Sequence, residues 1–251
     1  MCYHYSIFKT ADEIASRYNI APRPARIDPE PVCYHTSGFN HNLLPVVYKD
    51  NDSAGLKLEF MQWGLVPGWV KGEEQALKLR NSTLNARGET VDSKPSFRSA
   101  FRYRPCLVPS TGYFEWMHYR DRKYPFFIYV PAEPVFSIAG IWEEWVNRPT
   151  GEILRTFSVI TCEANDLAAR IHNTKKRMPA ILGGDEANQW LDIKNDPSGR
   201  KSLLKPYDSS SMYAYSISRL ITDRSRDSNV PEVMEPFTYP ELNEADRPDS
   251  S

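Results

Sequence analysis

The stretch PFFIYVPAEPVFSIAGIW, residues 125–142, contains two of the seven strand-like runs that decide the fold class. Both runs, Pro125–Val130 and Val135–Trp142, are rich in the β-branched and aromatic residues that favour strands. The same composition marks five more runs: Pro45–Tyr48, Leu56–Trp63, Pro105–Val108, Leu154–Thr161 and Met212–Ser216. Helical patterns are fewer and do not alternate regularly with these runs, so the sequence predicts an α+β fold. We expect a curved or barrel-like mixed β-sheet with a few peripheral helices.

Helices are predicted at four places. Thr10-Ala11-Asp12-Glu13 forms a capping box, in which a Thr side chain and a Glu three residues later satisfy each other's backbone N–H groups. Helical patterns also cover Ala164–Ile171 and Asp185–Asp192, and a weaker one covers Arg200–Leu204. Prolines recur too often in residues 21–31 for a helix, so this segment is expected to be extended or looped.

Composition excludes several classes of protein. The chain has 251 residues, of which 41% are apolar and 25% are charged, which excludes wholesale disorder. No apolar run approaches the roughly 18 residues that a membrane helix needs. The N-terminal residues show neither the basic start nor the apolar stretch of a signal peptide. We expect a cytoplasmic monomer with one domain over residues 1–235 and a polar C-terminal tail over residues 236–251.

The cysteines and the charges bear on the function. Cys2, Cys33, Cys106 and Cys162 lack the spacing of metal ligands, which predicts free thiols, no metal site and no cofactor. With 31 basic and 32 acidic residues the net charge is −1, which excludes a globally basic nucleic-acid binder.

Basic residues are nevertheless concentrated in two windows. The window from Lys78 to Arg104 has seven basic and two acidic residues, a net charge of +5, and the window from Leu167 to Gly184 has four basic residues and no acidic one. If the two windows converge in the fold, they form a positive groove that suits a phosphate backbone. Nearby aromatic residues such as Trp63 and Trp116 could then stack on bases.

Cys2 has a distinctive chemistry if Met1 is removed. The mature chain then begins with an α-amine and a thiol on one residue. Because the reference pKa of an α-amine is about 7.7–8.0, roughly a tenth of it is neutral at pH 7 and can attack an aldehyde. The thiol can then add to the resulting imine and close a thiazolidine ring. Taken alone, this is a weak signal, because a cysteine at position 2 is more often incidental.

Five segments in order give this chemistry a context. They are Met1-Cys2, QWGLVPGW at 62–69, NARGET at 85–90, CLVP at 106–109 running into GYFEW at 112–116, and Ile171-His172 followed by RMPAIL at 177–182. Together they resemble the SRAP family, the abasic-site processing proteins that shield and crosslink abasic sites in single-stranded DNA. The resemblance spans residues 1 to about 220 and implies a single SRAP-type domain.

The resemblance also implies roles for individual residues. Cys2 would form the thiazolidine with the ring-opened abasic sugar, and Asn85 would position the sugar or the N-terminus by hydrogen bonding. Glu115 would act on the α-amine as a proton shuttle, and it is also implicated in autoprocessing and in crosslink reversal. His172 would assist ring opening and proton transfer. The residues expected to contact DNA are Trp63, Arg87, Arg98, Trp116 and Arg177.

The chain departs from the family pattern at three places, of which the Tyr113-Phe114 pair, Phe-Tyr in the commoner form, changes little because both residues are aromatic. It begins Met1-Cys2-Tyr3-His4, where the family commonly begins Met-Cys-Gly-Arg, so His4 replaces a basic residue that faces DNA. Residues 173–176 separate His172 from Arg177, whereas the two are closer in the common form of the family.

These residues predict an enzyme that senses abasic sites in single-stranded DNA and crosslinks to them through Cys2. We also expect peptidase-like autoprocessing, and association with the nucleoid when the protein is bound to DNA. One alternative is an N-terminal-nucleophile cysteine amidohydrolase that acts without DNA. A second is a non-catalytic nucleic-acid-binding module in which Cys2 is incidental.

Overall fold

The computed structural model describes residues 2–21, 32–49, 55–192 and 196–243. Thirteen strands are present in these ranges: β1 (His4–Ile7), β2 (Cys33–Ser37), β3 (Leu43–Lys49), β4 (Leu56–Trp63), β5 (Asn85–Arg87), β6 (Pro105–Ser110), β7 (Gly112–Tyr119), β8 (Arg122–Tyr129), β9 (Phe136–Val146), β10 (Ile153–Glu163), β11 (Arg177–Pro179), β12 (Ile181–Leu182) and β13 (Tyr213–Ser216). The same ranges contain seven α-helices: α1 (Ala11–Arg17), α2 (Glu73–Arg80), α3 (Arg98–Tyr103), α4 (Asp166–Ile171), α5 (Asp185–Leu191), α6 (Pro197–Lys201) and α7 (Pro240–Asn243).

Five strands close into a barrel. The pairing runs from β10 to β4, β3, β6 and β9, and β9 pairs back to β10. Only the β10–β4 pair of this ring is parallel. The short strands β5, β11 and β12 extend the barrel at β10 and β9. All six residues of β6 are buried because β6 lies between two neighbours at the centre of the core. The predicted α+β fold with a barrel-like mixed sheet is therefore confirmed.

A second, open sheet has the strand order β13–β8–β7–β1–β2. Side chains alternate between its two faces, as the pleat requires. Tyr5 and Tyr113 are register partners on one face and belong to the main core. Phe114 lies on the opposite face and packs with Phe127 in a separate apolar cluster. β1 thus lies inside this sheet, with β2 on one side and β7 on the other.

The glycine that opens β7 is needed for close packing. A Cβ at Gly112 would lie 2.2 Å from Cζ of Phe127 on the neighbouring strand. The strand can therefore approach β8 closely only because residue 112 has no side chain. This contact places the following residues of β7, including Glu115, at a fixed position beside β1.

Most of the predicted strands and helices are confirmed, within a few residues at the ends. Leu56–Trp63 has the predicted bounds as β4. The Thr10 capping box is present, with the Thr10 side chain accepting from the backbone of Glu13 and the Glu13 carboxylate accepting from the backbone of Thr10. The sequence analysis did not predict β1, β2, β5, β11, β12, α2, α3 or α7, most of which are short. Residues 22–31 of the proline-rich segment lie outside the described residues.

The predicted tail begins too early. Tyr239 and Leu242 are buried against Tyr124, and the Tyr239 hydroxyl donates to the carbonyl of Ile217 at 2.9 Å. The boundary between residues 235 and 236 therefore falls inside a packed segment. The sequence analysis placed it there because the residues that follow are mostly polar. Residues 244–251 lie outside the described residues. No helix in the described part of the chain is long and apolar enough to cross a membrane.

Candidate active site

Cys2 lies at the start of the second sheet, between β2 and β7. His4 pairs with Phe114, so the residues just before β1 lie beside Glu115. The Cys2 side chain is buried and its thiol is hydrogen-bonded to the Glu115 carboxylate. Burial, and then the charge of Glu115, raise the pKa of the thiol well above its usual value. The thiol is therefore protonated at neutral pH.

Glu115 is a carboxyl group held away from water. It is 5% exposed, and burial raises its pKa to about 7. Among the described residues its Oε1 atom has no hydrogen-bond partner. The same Oε1 atom lies 3.5 Å from Nδ1 of His172. A carboxyl group with this pKa can donate and accept a proton near neutral pH.

His172 is placed by the end of α4 and by the turn that follows it. Its Nδ1 atom lies 3.0 Å from the carbonyl oxygen of Arg177, which can only accept, so the ring carries a proton on Nδ1. Burial lowers the pKa of His172, which keeps the ring neutral at pH 7. Burial thus favours the uncharged forms of both groups, so that protonated Glu115 can donate a proton and neutral His172 can accept one.

Asn85 begins β5 and is held by the parallel pairing of β5 with β10. It is 8% exposed, and within the described residues neither its Oδ1 nor its Nδ2 atom has a hydrogen-bond partner. A buried amide with two unsatisfied polar atoms is unfavourable for folding unless a ligand uses them. Asn85 shares its strand face with Arg87, which is exposed.

Two clefts open beside these residues, and Tyr3 lines both. The larger has a volume of about 830 Å³, and Arg87, Lys175, Lys176, Arg177 and Glu163 are among its lining residues. The smaller has a volume of about 340 Å³ and contains Glu115 and His172. It is also lined by His4, Trp116, His118, Lys123, Thr174 and Thr222. The two basic windows of the sequence therefore do converge, through Arg87 from the first and residues 175–177 from the second.

Comparison with known proteins decides the family. The model of the SOS response associated peptidase family, SRAP, matches residues 1–224. The chain belongs to the SRAP family.

Named relatives and a solved structure agree with this assignment. The SRAP chain is 35% identical over 240 residues to the abasic site processing protein YoqW of Bacillus subtilis, across 94% of this chain and 99% of YoqW. The abasic site processing protein HMCES of Gallus gallus is 34% identical over 181 residues, across 64% of this chain and 53% of HMCES. A Bacteroides thetaiotaomicron protein of known crystal structure superposes with a TM-score of 0.85 at 38% identity, over 94% of this chain and 100% of the other.

Two of the residues expected to contact DNA in this SRAP domain are engaged elsewhere. Trp63 is 1% exposed, its indole N–H donates to the carbonyl of Leu84 at 2.8 Å, and its ring stacks on Phe157. A base cannot reach it, so Trp63 belongs to the core; sequence alone could not distinguish a buried tryptophan from a stacking one. Arg177 is buried and its guanidinium donates to Glu89 and to the carbonyl of Thr161.

The remaining expected contacts are accessible. Arg87 is exposed in the larger cleft, and Trp116 is half-buried in the smaller one. Arg98 is exposed at the start of α3 and lines neither cleft.

Two of the departures from the SRAP pattern change the charge around the site. His4 bonds His35 at 2.9 Å between ring nitrogens, and burial, together with His35, lowers the pKa of His4 to about 3. Position 4 is therefore uncharged where the family commonly has arginine. The loop of residues 173–176 is the other departure. The side chain of Asn173 fixes it by accepting from the backbone N–H of His118 and donating to the carbonyl of His118. This loop contributes Lys175 and Lys176 to the larger cleft.

The sequence analysis missed one tyrosine at the site, Tyr113. Tyr113 lies two residues before Glu115 on the same strand face, and its buried hydroxyl has no partner among the described residues. Burial, followed by Cys2 and Glu115, raises the pKa of Tyr113 well above its usual value. The sequence could have identified Tyr113, because side chains two residues apart on a strand lie on the same face and Glu115 is two residues later. No group of three or more His, Cys, Asp and Glu residues suited to a metal ion occurs in the described ranges.

Proposed function

We propose that this SRAP protein senses abasic sites in single-stranded DNA and crosslinks to them through Cys2 after removal of Met1. The observation that supports this most directly is the buried contact of Cys2 with Glu115, whose carboxylate lies 3.5 Å from His172. A basic cleft adjoins this contact and can receive a phosphate backbone. The names of the relatives YoqW and HMCES, abasic site processing proteins, agree with this substrate.

The proposed reaction begins at the α-amine of Cys2. The neutral amine attacks C1′ of the open-chain abasic sugar, forming a C–N bond while the aldehyde oxygen takes up a proton. The carbinolamine then loses its hydroxyl group as water, which requires an acid, and leaves an imine. The thiol adds to the imine carbon, its proton moves to the nitrogen, and the thiazolidine ring closes. The sum of these steps is the loss of one water, with no oxidant or reductant.

Glu115 is suited to the proton transfers. As a carboxylate it accepts a proton from the attacking amine, and as a carboxylic acid it supplies the proton that leaves with water. His172, neutral with its proton on Nδ1, assists the opening of the sugar ring. The unsatisfied amide of Asn85 would bind the sugar hydroxyls or the α-amine, which its buried polar atoms need as partners.

The same geometry disfavours the amidohydrolase alternative. A cysteine that attacks amides needs a thiolate, and such cysteines lie near cations that lower the pKa. At Cys2 the two largest influences, burial and the charge of Glu115, raise the pKa of the thiol and outweigh the lowering by the N-terminal amine. Thiazolidine formation needs no preformed thiolate, because the thiol proton passes to the imine nitrogen as the C–S bond forms.

Intact mass spectrometry tests the proposal. The chain is mixed with a single-stranded oligonucleotide that carries one abasic site, and the spectrum of the free protein first shows whether it begins at Cys2. We expect a heat-stable adduct with the mass of protein plus DNA less one water. The adduct should be lost in Cys2→Ala and retained in Cys162→Ala, which removes a second buried thiol.

Two outcomes would contradict the proposal. One is the absence of an adduct from a chain shown to begin at Cys2, after which peptide and amide substrates should be tested. The other is an adduct of equal yield with Cys2→Ala, which would assign the attachment to another residue.

A further inference from the structure

An aromatic pair lies directly beside the nucleophile. Tyr3 stands where SRAP proteins commonly have glycine, and its ring contacts that of Phe39 with centroids 5.0 Å apart and a tilt of 43°. The backbone N–H of Gly38 donates to the carbonyl of Tyr3 at 2.8 Å, which fixes the turn that carries Phe39 against the start of β1. We name Tyr3 and Phe39 the aromatic ridge.

The aromatic ridge is accessible. Phe39 is 51% exposed, and within the described residues Tyr3 is the only ring that contacts it. Tyr3 is half-buried and lines both clefts, so it stands at the boundary between the basic cleft and the cleft that contains Glu115. Phe39 lines neither cleft and joins this boundary through its contact with Tyr3. Tyr3 follows Cys2 directly, and adjacent Cα atoms are about 3.8 Å apart, so the Tyr3 side of the ridge lies next to the nucleophile.

The chemistry of the substrate gives this surface a purpose. An abasic sugar has no base and cannot be positioned by stacking, so its position depends on the neighbouring nucleotides. Surfaces that bind single-stranded nucleic acid combine cations for the phosphates with aromatic rings for the bases. Arg87, Lys175 and Lys176 are the cations of the larger cleft, and Tyr3 lines that same cleft.

We propose that the aromatic ridge of Tyr3 and Phe39 stacks with the nucleobase adjacent to the abasic site. This inference rests on the proposed function and deepens it, because it assigns a subsite to the neighbouring nucleotide. The base lies on the exposed ring surface of Phe39 while its phosphate faces the cations of the larger cleft. The abasic sugar is thereby held next to Cys2.

The test compares two oligonucleotides of equal length by fluorescence anisotropy, with Cys2→Ala in all proteins so that no covalent bond forms. One oligonucleotide has a single tetrahydrofuran abasic analogue between ordinary nucleotides. The other lacks the bases on both sides of the analogue as well. Phe39→Ala should weaken binding of the first roughly tenfold, the usual effect of losing one base–aromatic stack, and should leave binding of the second almost unchanged.

Two further variants serve as controls. Phe39→Trp should bind the first oligonucleotide as well as the unchanged ridge does, since tryptophan keeps an aromatic face at this position. Phe237→Ala should have no effect, since Phe237 is similarly exposed but its ring contacts Tyr239, which lines neither cleft. An equal loss on both oligonucleotides, or no loss on either, overturns the inference; either result would instead fit a ridge that packs structurally or receives a protein ligand.

The proposed function is judged by a different readout. If the Cys2 chain forms no adduct but Phe39→Ala still shows a base-dependent loss, crosslinking is wrong and the stacking surface remains. If the adduct forms and the base-dependent loss is absent, crosslinking remains and the ridge has no stacking role.

Discussion

The buried cluster around Cys2 and the basic rim of the larger cleft use polar groups in opposite ways. Glu115 and Asn85 are less than a tenth exposed, and polar atoms of both are unsatisfied within the described residues. Arg87, Lys175 and Lys176 are exposed to water. Desolvation changes the protonation of the cluster, whereas the rim acts through its summed charge. Changes in the cluster should therefore be large and pH-dependent, and changes at the rim should be small and salt-dependent.

The largest effect is expected from Glu115→Gln on the rate of adduct formation. The amide keeps the shape of the side chain but cannot transfer a proton, so the rate should fall by about 10²–10⁴ at pH 7. Because burial raises the pKa of Glu115 to about 7, the wild-type rate should also change across that pH and the variant should lose this transition. Quenched time courses from pH 5.5 to 8.5 measure both. A variant with the wild-type rate would remove Glu115 from the mechanism.

The second expected effect concerns stability. The pKa of Glu115 rises from an ordinary 4.5 to about 7 on folding, so between these values the folded chain retains a proton that the unfolded chain has lost. Stability due to this group is therefore present below about pH 4.5 and is lost as the pH rises to 7. Glu115→Gln avoids this loss and should be more stable than wild type by on the order of 2–3 kcal/mol at pH 8, and equal at pH 4. Urea unfolding at the two pH values checks this, and a constant difference would contradict it.

Asn85→Leu should separate function from stability in the same cluster. Leucine removes two unsatisfied polar atoms, so the free energy of unfolding should rise by about 1–3 kcal/mol while adduct formation slows at least roughly tenfold. Thermal unfolding and mass spectrometry measure the two effects. The matched control is Asn165→Leu, which should destabilise, because the Asn165 side chain donates to Tyr207 and accepts from the backbone of Ala168. A loss of stability in Asn85→Leu would show that its amide has a partner in the folded chain.

The smallest expected effect is at the rim. If about four phosphates are contacted, the logarithm of the binding constant should fall with the logarithm of the salt concentration with a slope near −3. Changing both Lys175 and Lys176 to Gln should reduce the magnitude of this slope by about 1.4, roughly 0.7 for each lysine, without changing the adduct yield at saturating DNA. Lys78→Gln, at an exposed lysine that pairs with Glu74 on α2, is the control and should leave the slope unchanged. A slope that is the same in the double variant would exclude the two lysines from DNA binding.

The sequence predicted those parts of the fold in which local signals agree with the final environment. Long apolar strands such as Leu56–Trp63 and the Thr10 capping box need only neighbouring residues, and both are present. The short β5 and β11 have no such signal, because only pairing with β10 makes them strands. Trp63 shows the same limit for function, since its environment comes from Leu84 and Phe157, which are distant in the sequence.

The sequence by itself determined the residue types of the candidate chemistry: a thiol at position 2, a carboxyl at 115, an imidazole at 172 and an amide at 85, in an order typical of SRAP. The tertiary structure alone decided which of these are buried together and which charges remain available. It placed Glu115 beside Cys2, engaged Arg177 with Glu89, and left the cations of loop 173–176 in the larger cleft. The physical reason is that desolvation and ion pairing depend on distances between residues far apart in the chain, which strand pairing fixes and residue type does not.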